Sequence, residues 1–356
     1  NNPMSLVCSL VCNHERQCEG HCVLGRKGQP VHVSSIENYI SDTCLERIDV
    51  QCQPKNGKKV AVIGAGPAGI TIAILLTKKG YSVTIFDSRD KIGGVLQYGI
   101  PEFRLPKAIL ERYKKKLLSM GIRIRPNTTI GGALEIKDLF RDGYESIFIG
   151  TGVWRPKKLG IKGESLGNVH FAIDYLANPD AYDLGDRVAV IGVGNSAMDV
   201  ARTAVRLGTS EVSVIYRRSE KEMPAGKDEI IEAREEGVKL IAMASPVEFL
   251  GAEGKVTGIH LVRRKETDYG SDGRRRTAHI PDSDFFLECD GIVTAINQDV
   301  DHQVYRTTHV EVAKNGKLDI IALNTNTVNV TGETVTYDGK THGLREVTAL
   351  KEGSTI

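Results

Sequence analysis

The chain has 356 residues, of which 40% are hydrophobic and 26% are charged. This composition permits packed cores and excludes a largely disordered chain. The 47 Lys and Arg nearly balance the 45 Asp and Glu, for a formal net charge of +2, so no basic excess points to nucleic acid or a membrane surface as a partner. No run reaches the roughly 18 apolar residues of a membrane helix, and no signal peptide is recognisable. We expect two or three domains and a cytoplasmic protein.

Four of the seven cysteines lie close together in the polar segment 1–56. Their spacing is C-x3-C-x5-C-x3-C, which lacks the C-x2-C knuckles of zinc ribbons, and disulfides suit a cytosolic enzyme poorly. Soft thiolates suit iron–sulfur clusters, so we favour a cluster over a zinc site. The isolated Cys44, Cys52 and Cys289 are predicted to be structural. The clustered four are Cys8, Cys12, Cys18 and Cys22.

A strand–turn–helix–strand unit begins after the linker at residues 54–57. The apolar run 60–63 leads into Gly64-Ala65-Gly66-Pro67-Ala68-Gly69, a helix follows from Ile70, and the run 83–86 ends at Asp87. The glycines allow a tight turn and a close approach to a pyrophosphate, which the first helix amides bind. Asp87 stands where a carboxylate accepts hydrogen bonds from ribose hydroxyls. This unit predicts a dinucleotide site.

The same pattern recurs 128 residues later, from Gly64 to Gly192. The run 188–191 leads into the second glycine turn, a helix to about Leu207 and the run 212–216. Two nucleotide-binding units in one chain are a much stronger signal than one glycine motif. The second turn comprises Gly192, Val193, Gly194, Asn195, Ser196 and Ala197.

The second unit carries Tyr216 where the first carries an acid, and Arg217 and Arg218 follow. Guanidinium groups bind a 2′-phosphate with charge-assisted hydrogen bonds, whereas a carboxylate would repel it. We infer NADP(H) rather than NAD(H). The adjacent Glu220 and Glu222 keep open the alternative that the two arginines are simply a solvated pair.

The remaining elements are less distinctive. Residues 106–120 predict a helix, residues 268–276 a solvated hairpin tip, and residues 292–296 a final parallel strand of the first domain. Residues 325–337 predict an antiparallel hairpin. Other strand-like runs are residues 147–149, 238–242, 256–262 and 285–287.

The sequence shows no serine–histidine–carboxylate or paired-carboxylate arrangement, so we predict no catalytic side chain. Hydride transfer between a nicotinamide and a flavin needs apposition at about 3–3.5 Å and exclusion of water rather than a protein acid or base. A thioredoxin-reductase-like dithiol enzyme would need a C-x-x-C pair, which the sequence lacks.

Four segments carry a family resemblance: residues 2–25 with their cysteines, the first glycine turn, residues 93–106 and residues 194–225. With the strands between and after them they cover about residues 1–298. They are similar to the small (beta) subunit family of glutamate synthase. That family includes the large subunit of the NADH-dependent ferredoxin:NADP transhydrogenase and the NADPH/FAD half of dihydropyrimidine dehydrogenase.

The resemblance implies an α/β fold with two Rossmann-like domains of the disulfide-reductase flavoprotein type, preceded by a Cys-rich helical iron–sulfur segment. The expected FAD domain is discontinuous, 57–154 plus 290–324, with the NADP(H) domain 155–289 inserted and a divergent tail 325–356. The implied FAD contacts are Gly64, Gly66, Pro67, Ala68, Gly69, Asp87, Gly94, Val95, Arg104 and Ile130, with Thr151 and Gly152 at the domain crossing. The implied NADPH contacts are Gly192, Gly194, Asn195, Ser196, Ala197, Arg217 and Arg218.

In relatives the cysteine segment shares two [4Fe–4S] clusters with an upstream cysteine block that this sequence lacks. The resemblance assigns Cys12 and Cys18 to one cluster, with Glu37 as a further candidate ligand, and Cys22 to the other. The chain begins at Asn1 without an initiator Met, which predicts part of a longer polypeptide. Alternatively, a single cluster forms and recruits Cys8.

Relatives also end with a Gly-Gly-Asp turn that holds the flavin. Here Asn297 stands where a glycine is usual, and no Gly-Gly-Asp occurs. We therefore keep two hypotheses. The favoured one is an NADPH-dependent oxidoreductase subunit that passes electrons between NADP(H), FAD and [4Fe–4S] clusters toward redox partner subunits. The alternative is a non-catalytic assembly subunit that keeps the fold without FAD.

Overall fold

The computed structural model of the chain describes residues 2–47, 51–132, 134–270 and 275–300. The hairpin predicted at residues 325–337 lies outside these residues. So do the tail 325–356 and the centre of the hairpin tip predicted at residues 268–276.

The cysteine segment is helical. It contains α1 (Ser5–Val11), two single 3₁₀ turns (His14–Arg16 and Leu24–Arg26) and α2 (Val33–Cys44). Side-chain hydrogen bonds join the two helices, among them Asn38 Nδ2 to Ser9 Oγ at 3.1 Å. Leu6 of α1 is buried in the core of the first nucleotide domain, which anchors the segment to that domain.

A parallel sheet of four strands, in the order β3-β2-β1-β4, forms the first domain. Its central strands β1 and β2 are short, buried apolar runs, and Val62 pairs with Ile85 on one side and Phe148 on the other. The elements are β1 (Lys59–Ile63), α3 (Pro67–Lys78), β2 (Ser82–Phe86), α4 (Val95–Tyr98), α5 (Lys107–Ser119), β3 (Arg123–Arg125), α6 (Ile136–Arg141) and β4 (Ser146–Ile149).

The second domain repeats this design around a five-stranded parallel sheet, in the order β6-β13-β7-β8-β9. Two short strands, β5 (Arg155–Pro156) after the first sheet and β14 (Gln298–Asp299) after the second, pair antiparallel and form a link. The parallel-sheet domain consists of β6 (Val169–Phe171), α7 (Ala172–Ala177), β7 (Arg187–Ile191), α8 (Asn195–Arg206), β8 (Glu211–Ile215), α9 (Lys227–Glu235), β9 (Lys239–Ile241) and β13 (Gly291–Thr294), with 3₁₀ turns at Pro179–Ala181 and Glu220–Glu222.

An antiparallel sheet, β10-β11-β12, is inserted between β9 and β13. It comprises β10 (Ala244–Ala252), β11 (Lys255–Tyr269) and β12 (Arg275–Glu288). Phe249 and Ile259 pack with Ile191 and Ile292 in a third core between this sheet and the second parallel sheet. No helix among the described residues is long and apolar enough to cross a bilayer.

The strand predicted at residues 292–296 belongs to the other domain, so that prediction was wrong. β13 pairs with β6 and β7 of the second sheet, and Ile292 lies opposite Ala189. The physical reason is the repeat itself, since β13 flanks β7 in the same way that β4 flanks β1. The fully apolar run 292–293 fits a central strand of either sheet, and only the long-range pairing distinguishes them.

Candidate functional site

The first glycine turn forms an open cradle at the end of β1. Gly64 has φ +102°, and a Cβ there would lie 2.3 Å from the carbonyl oxygen of Gly150, so the turn requires glycine. Gly94, with φ +54°, approaches so closely that its Cβ would lie 2.9 Å from Gly66 Cα. Pro67 and Ala68, at the start of α3, are exposed. The start of α3 therefore offers free backbone amides and the positive end of a 12-residue helix to an anion.

Asp87 closes this cradle from the next strand. Its Oδ2 accepts a hydrogen bond from the amide of Ala65 at 2.6 Å, and its Oδ1 accepts one from the amide of Arg89 at 2.8 Å. A carboxylate has about four acceptor positions, so both oxygens retain capacity for ribose hydroxyls. The Arg89 guanidinium lies 4.6 Å from the ring centres of both Tyr98 and Trp154. These contacts hold the Arg89 side chain beside the segment that follows β4.

The other residues that the resemblance implies for FAD differ in their exposure and in their position in the first domain. Val95 is 43% exposed at the start of α4, beside the glycine turn, and offers an apolar contact surface. Ile130 is buried and forms an isolated bridge with Leu134. Thr151 and Gly152 follow β4, at the end of the first sheet where the chain turns toward the link. Their contacts with FAD stay predictions.

The position of Asn297 explains one departure from the family pattern. Asn297 has φ +89°, the left-handed conformation that glycine adopts most easily and that asparagine tolerates better than most residues. Its carbonyl accepts a hydrogen bond from the amide of Lys157 at 3.1 Å. Asparagine therefore adopts at this position the backbone conformation that glycine adopts most easily.

The second glycine turn has the same construction. Gly192 has φ +126°, and a Cβ there would lie 2.4 Å from the carbonyl oxygen of Ala295, which follows β13 as Gly150 follows β4. Gly194 is the N-cap of α8, and nothing lies within 4 Å of its would-be Cβ. Ala197 is fully buried against the sheet. The residues between them, Asn195 and Ser196, are half-exposed at the open end of the helix.

Arginine side chains surround the end of β8. Arg217 is exposed, and Arg218 Nε lies 3.7 Å from Glu222 Oε2. The structure adds Arg264 of β11, because Met243 donates its amide to Arg218 O at 3.1 Å and accepts the amide of Arg264 at 2.8 Å. Burial, followed by the positive charge of Arg217, lowers the pKa of Arg264. The like charges of Arg217 and Arg264 favour an anion between them.

The Arg264 side chain is held in place by β12. Its Nε donates to Thr277 Oγ1 at 2.8 Å and its Nη2 donates to Thr277 O at 2.6 Å. Sequence reasoning missed Arg264 because it lies 46 residues after Arg218, in an antiparallel sheet with no nucleotide motif. The only available signal was the run Arg263-Arg264-Lys265 on a strand-like segment.

Arg104, implied as an FAD contact, is directed toward the second domain. Its Nη1 lies 2.9 Å and 2.8 Å from the two carboxylate oxygens of Asp199, and its Nε lies 2.8 Å from Glu229 Oε1. Asp199 is on α8 and Glu229 is on α9. The arrangement makes Arg104 an interdomain ion-pair residue, and its contact with FAD stays a prediction.

Cys12 lies within electrostatic range of two other cysteines of the segment, Cys8 and Cys18. Cys12 is the C-cap of α1, one helical turn after Cys8, and its amide donates to Cys8 O at 3.0 Å. Burial, then the negative charges of Cys8, Cys18 and Glu37, raise the pKa of the Cys12 thiol. A cationic iron centre removes that repulsion, so the donor set fits a thiolate-bound cluster.

Cys22 occupies a different environment. Backbone amides of Val31, Leu24 and Gly25 lower the pKa of its thiol, which favours the thiolate that ligates iron. No group of three or more histidine, cysteine or acidic residues in the described part of the chain surrounds a single-ion site.

Two open dinucleotide cradles on successive parallel sheets, with a thiol-rich segment beside them, define a pyridine-nucleotide oxidoreductase. The family described as pyridine nucleotide-disulphide oxidoreductase matches residues 25–138 and 58–332. The family described as dihydropyrimidine dehydrogenase domain II, 4Fe-4S cluster, matches residues 1–48. The chain belongs to the pyridine nucleotide-disulphide oxidoreductase family, as a homologue of the glutamate synthase small chains.

Curated relatives agree with this assignment. The glutamate synthase [NADPH] small chain of Escherichia coli strain K12 is 34% identical over 336 residues, which cover 89% of this chain and 71% of the relative. The NADPH-Fe(3+) oxidoreductase subunit beta of Geobacter sulfurreducens is 36% identical over 85% of this chain. The chain spans 46% of that relative's length.

Solved structures establish the fold. Mycobacterium tuberculosis FprA in complex with NADPH aligns with a TM-score of 0.59 at 20% identity, over 69% of this chain and 71% of that chain. Thioredoxin reductase of T. acidophilum aligns with a TM-score of 0.53 at 20% identity, over 73% of this chain and 84% of that chain. The predicted class is confirmed: an NAD(P)H-dependent flavoprotein oxidoreductase with a 4Fe–4S segment.

Proposed function

We propose that this chain is the NADP(H)-binding subunit of a larger cytoplasmic redox complex and passes electrons between NADP(H), FAD and an iron–sulfur centre. The observation that carries the proposal is the pair of open cradles. The domain of the second cradle also carries Arg217, Arg218 and Arg264. Relatives named as a small chain and as beta subunits support a role as one subunit of an assembly. Cysteines that ligate iron suit the reducing cytoplasm, where disulfides are rare.

The second domain is the proposed NADP(H) site. The amides of Asn195 and Ser196 and the N-terminal end of α8 would bind the pyrophosphate. Arg217, Arg218 and Arg264 would bind the 2′-phosphate with charge-assisted hydrogen bonds. The backbone that carries these groups is held in place, since β8, α8 and β11 are anchored in buried cores.

The first domain is the proposed FAD site. The amides at the start of α3 would bind its pyrophosphate, Asp87 would accept hydrogen bonds from its ribose, and Val95 would offer apolar contact. Bound in the two domains, a flavin and a nicotinamide supply hydride transfer, and an iron–sulfur centre supplies single-electron transfer. The protein's own contribution is to hold these groups and exclude water.

The cysteine segment is the proposed iron site. Two observations support this: Cys8, Cys18 and Glu37 interact electrostatically with Cys12, and backbone amides favour the thiolate of Cys22. The proposed partner is a redox subunit that exchanges single electrons. The charge balance of the chain and its lack of nucleic-acid motifs support a protein partner over nucleic acid or a membrane.

Anaerobic titration of the purified full chain with NADPH tests the proposal. We expect one flavin per chain, iron, and loss of the oxidised flavin absorbance after stoichiometric NADPH but not after the same amount of NADH. A colourless chain that binds neither flavin nor NADP⁺ would contradict the proposal and support the assembly-subunit alternative. Flavin that responds equally to NADPH and NADH would contradict the assignment of the 2′-phosphate site.

A further inference from the structure

The loop between Cys12 and Cys18 reaches across to the second nucleotide domain. Arg16 Nη2 donates to Met223 O at 2.8 Å and to Ala225 O at 3.2 Å. Its neighbour Glu15 accepts the amide of Lys227 at 2.7 Å, which is the first residue of α9. The loop 223–227 is thus held by two adjacent side chains of the cysteine segment, more than 200 residues away in sequence.

The same loop supports the second glycine turn from its other side. Ala225 donates its amide to Val193 O at 3.3 Å, inside the turn. Gly226 donates its amide to Asn195 Oδ1 at 3.2 Å, at the first position of α8. Met223 and Ala225 are 3% and 0% exposed. A shift of this loop therefore changes the position of the residues that form the proposed pyrophosphate site.

The other end of this connection lies between two proposed iron ligands. The carbonyl of His14 accepts hydrogen bonds from the amides of Gln17, Glu19 and Gly20, which closes residues 14–20 into a tight loop. Gly20 packs so closely that a Cβ there would lie 1.7 Å from the carbonyl oxygen of Glu15. A ligand that fixes Cys12 and Cys18 would therefore also fix Glu15 and Arg16, which lie between them in the tight loop.

We propose that Arg16 and Glu15 are positioning residues for the nucleotide site, and that through them iron bound at Cys12 and Cys18 strengthens NADP(H) binding at Asn195. The inference rests on the proposed function, because it requires both an iron site and a nucleotide site in this chain. By linkage, bound NADP⁺ stabilises the iron site by the same factor as iron strengthens NADP⁺ binding.

Variants of the iron-loaded full chain test the positioning role. We expect R16A and E15A to weaken NADP⁺ binding roughly tenfold in titration calorimetry, with iron content and flavin content unchanged. R16K and E15Q keep a donor and an acceptor at these positions and should restore most of the affinity. The matched control is R26A, since Arg26 is an exposed arginine of the same segment. NADP⁺ affinity in R16A equal to that in R26A would overturn the inference.

A second measurement tests the coupling without relying on full truncation of either side chain. A ferrous chelator competes for iron with the wild-type chain at equilibrium, and saturating NADP⁺ should raise the chelator concentration for half removal roughly tenfold. In R16K this shift should be slightly smaller, and in R26A it should match the wild type. Iron loss that is insensitive to NADP⁺ in the wild type would overturn the coupling.

The two proposals fail in different ways. If the wild type binds no iron or no NADP⁺, the proposed function is wrong, and the inference falls with it. If the wild type binds both and yet Arg16 and Glu15 substitutions change neither NADP⁺ affinity nor protection of the iron, only the inference is wrong.

Discussion

Arg104 and Asp199 form a buried ion pair between the two nucleotide domains, with Arg104 Nη1 at 2.9 Å and 2.8 Å from the two carboxylate oxygens. Their side chains are 11% and 3% exposed. Glu229 extends the network, since it lies 2.8 Å from Arg104 Nε and 2.9 Å from Arg202 Nη1. Removing one partner of such a network leaves a buried charge unpaired, so the relation between the domains depends on all of its members.

The pH dependence of stability should reveal Asp199. Burial raises the pKa of its carboxyl to about 6, against the lowering effect of Arg104. A carboxyl with a raised folded-state pKa contributes stability that is complete below its unfolded pKa near 3.8 and is lost as pH rises through about 6. We expect D199N to gain stability relative to the wild type from about pH 4 to 7, on the order of 2 kcal/mol. Urea unfolding at several pH values measures this difference.

The control for that experiment is D290N. The Arg187 side chain lowers the pKa of Asp290, so its contribution has the opposite sign and is lost as pH falls through the folded-state pKa. The wild-type advantage over D290N should therefore shrink in acid. The raised pKa of Asp199 would be contradicted if the stability difference between D199N and the wild type did not change with pH. It would also be contradicted if that difference changed in the same direction as the difference for D290N.

Arg264 should contribute to the choice between NADP⁺ and NAD⁺. We expect R217Q, R218Q and R264Q each to weaken NADP⁺ binding by about 1.5–3 kcal/mol per lost charge-assisted hydrogen bond, with little change for NAD⁺. Arg263 is the matched control, because it is adjacent in β11 but exposed and stacked over Phe285 at 4.1 Å. Titration calorimetry with both nucleotides measures the change in affinity for NADP⁺ and for NAD⁺ in each variant. Equal losses for both nucleotides in R264Q would refute its assignment to the 2′-phosphate.

Gly94 should be essential for the first cradle. The substitution G94A places a Cβ 2.9 Å from Gly66 Cα at a positive φ, so either the Gly93–Gly94 turn or the glycine turn must shift. We expect flavin content to fall at least several-fold while NADP⁺ affinity is unchanged, because the second cradle is built from other elements. Gly132 provides the control, since nothing lies within 4 Å of its would-be Cβ. Full flavin content in G94A would show that the cradle tolerates this shift.

The glycine turns could be predicted from sequence because their determinants are local. Gly64 and Gly192 each follow an apolar strand and precede a helix, and both adopt the positive φ that the motif requires. The helix predicted over residues 106–120 is also confirmed by α5, since its apolar spacing lies within one segment. Local spacing thus predicted the elements and the two cradles.

Contacts between distant segments could not be predicted in the same way. Arg104 matched a family motif, and nothing in its neighbourhood indicated Asp199 as its partner 95 residues away. Residues 292–296 carry only an apolar pattern, and the competition between two similar sheets decided where the strand pairs. Arg16 gave no signal and Arg264 only a short basic run, because their roles arise from the docking of one segment on another. Charge and hydrogen-bond partners across domains are properties of the assembled fold.

The cysteines give the last prediction. The substitutions C12S and C18S should each remove most of the iron, because the hydroxyl of serine replaces the soft thiolate that iron–sulfur centres require. Cys44, half-buried at the end of α2, is the control, and C44S should retain wild-type iron. Metal analysis together with the visible spectrum measures the outcome, and C8S decides whether Cys8 joins the same centre. Unchanged iron in C12S and C18S would reject these ligands, while loss of iron in C44S as well would point to general disruption of the segment.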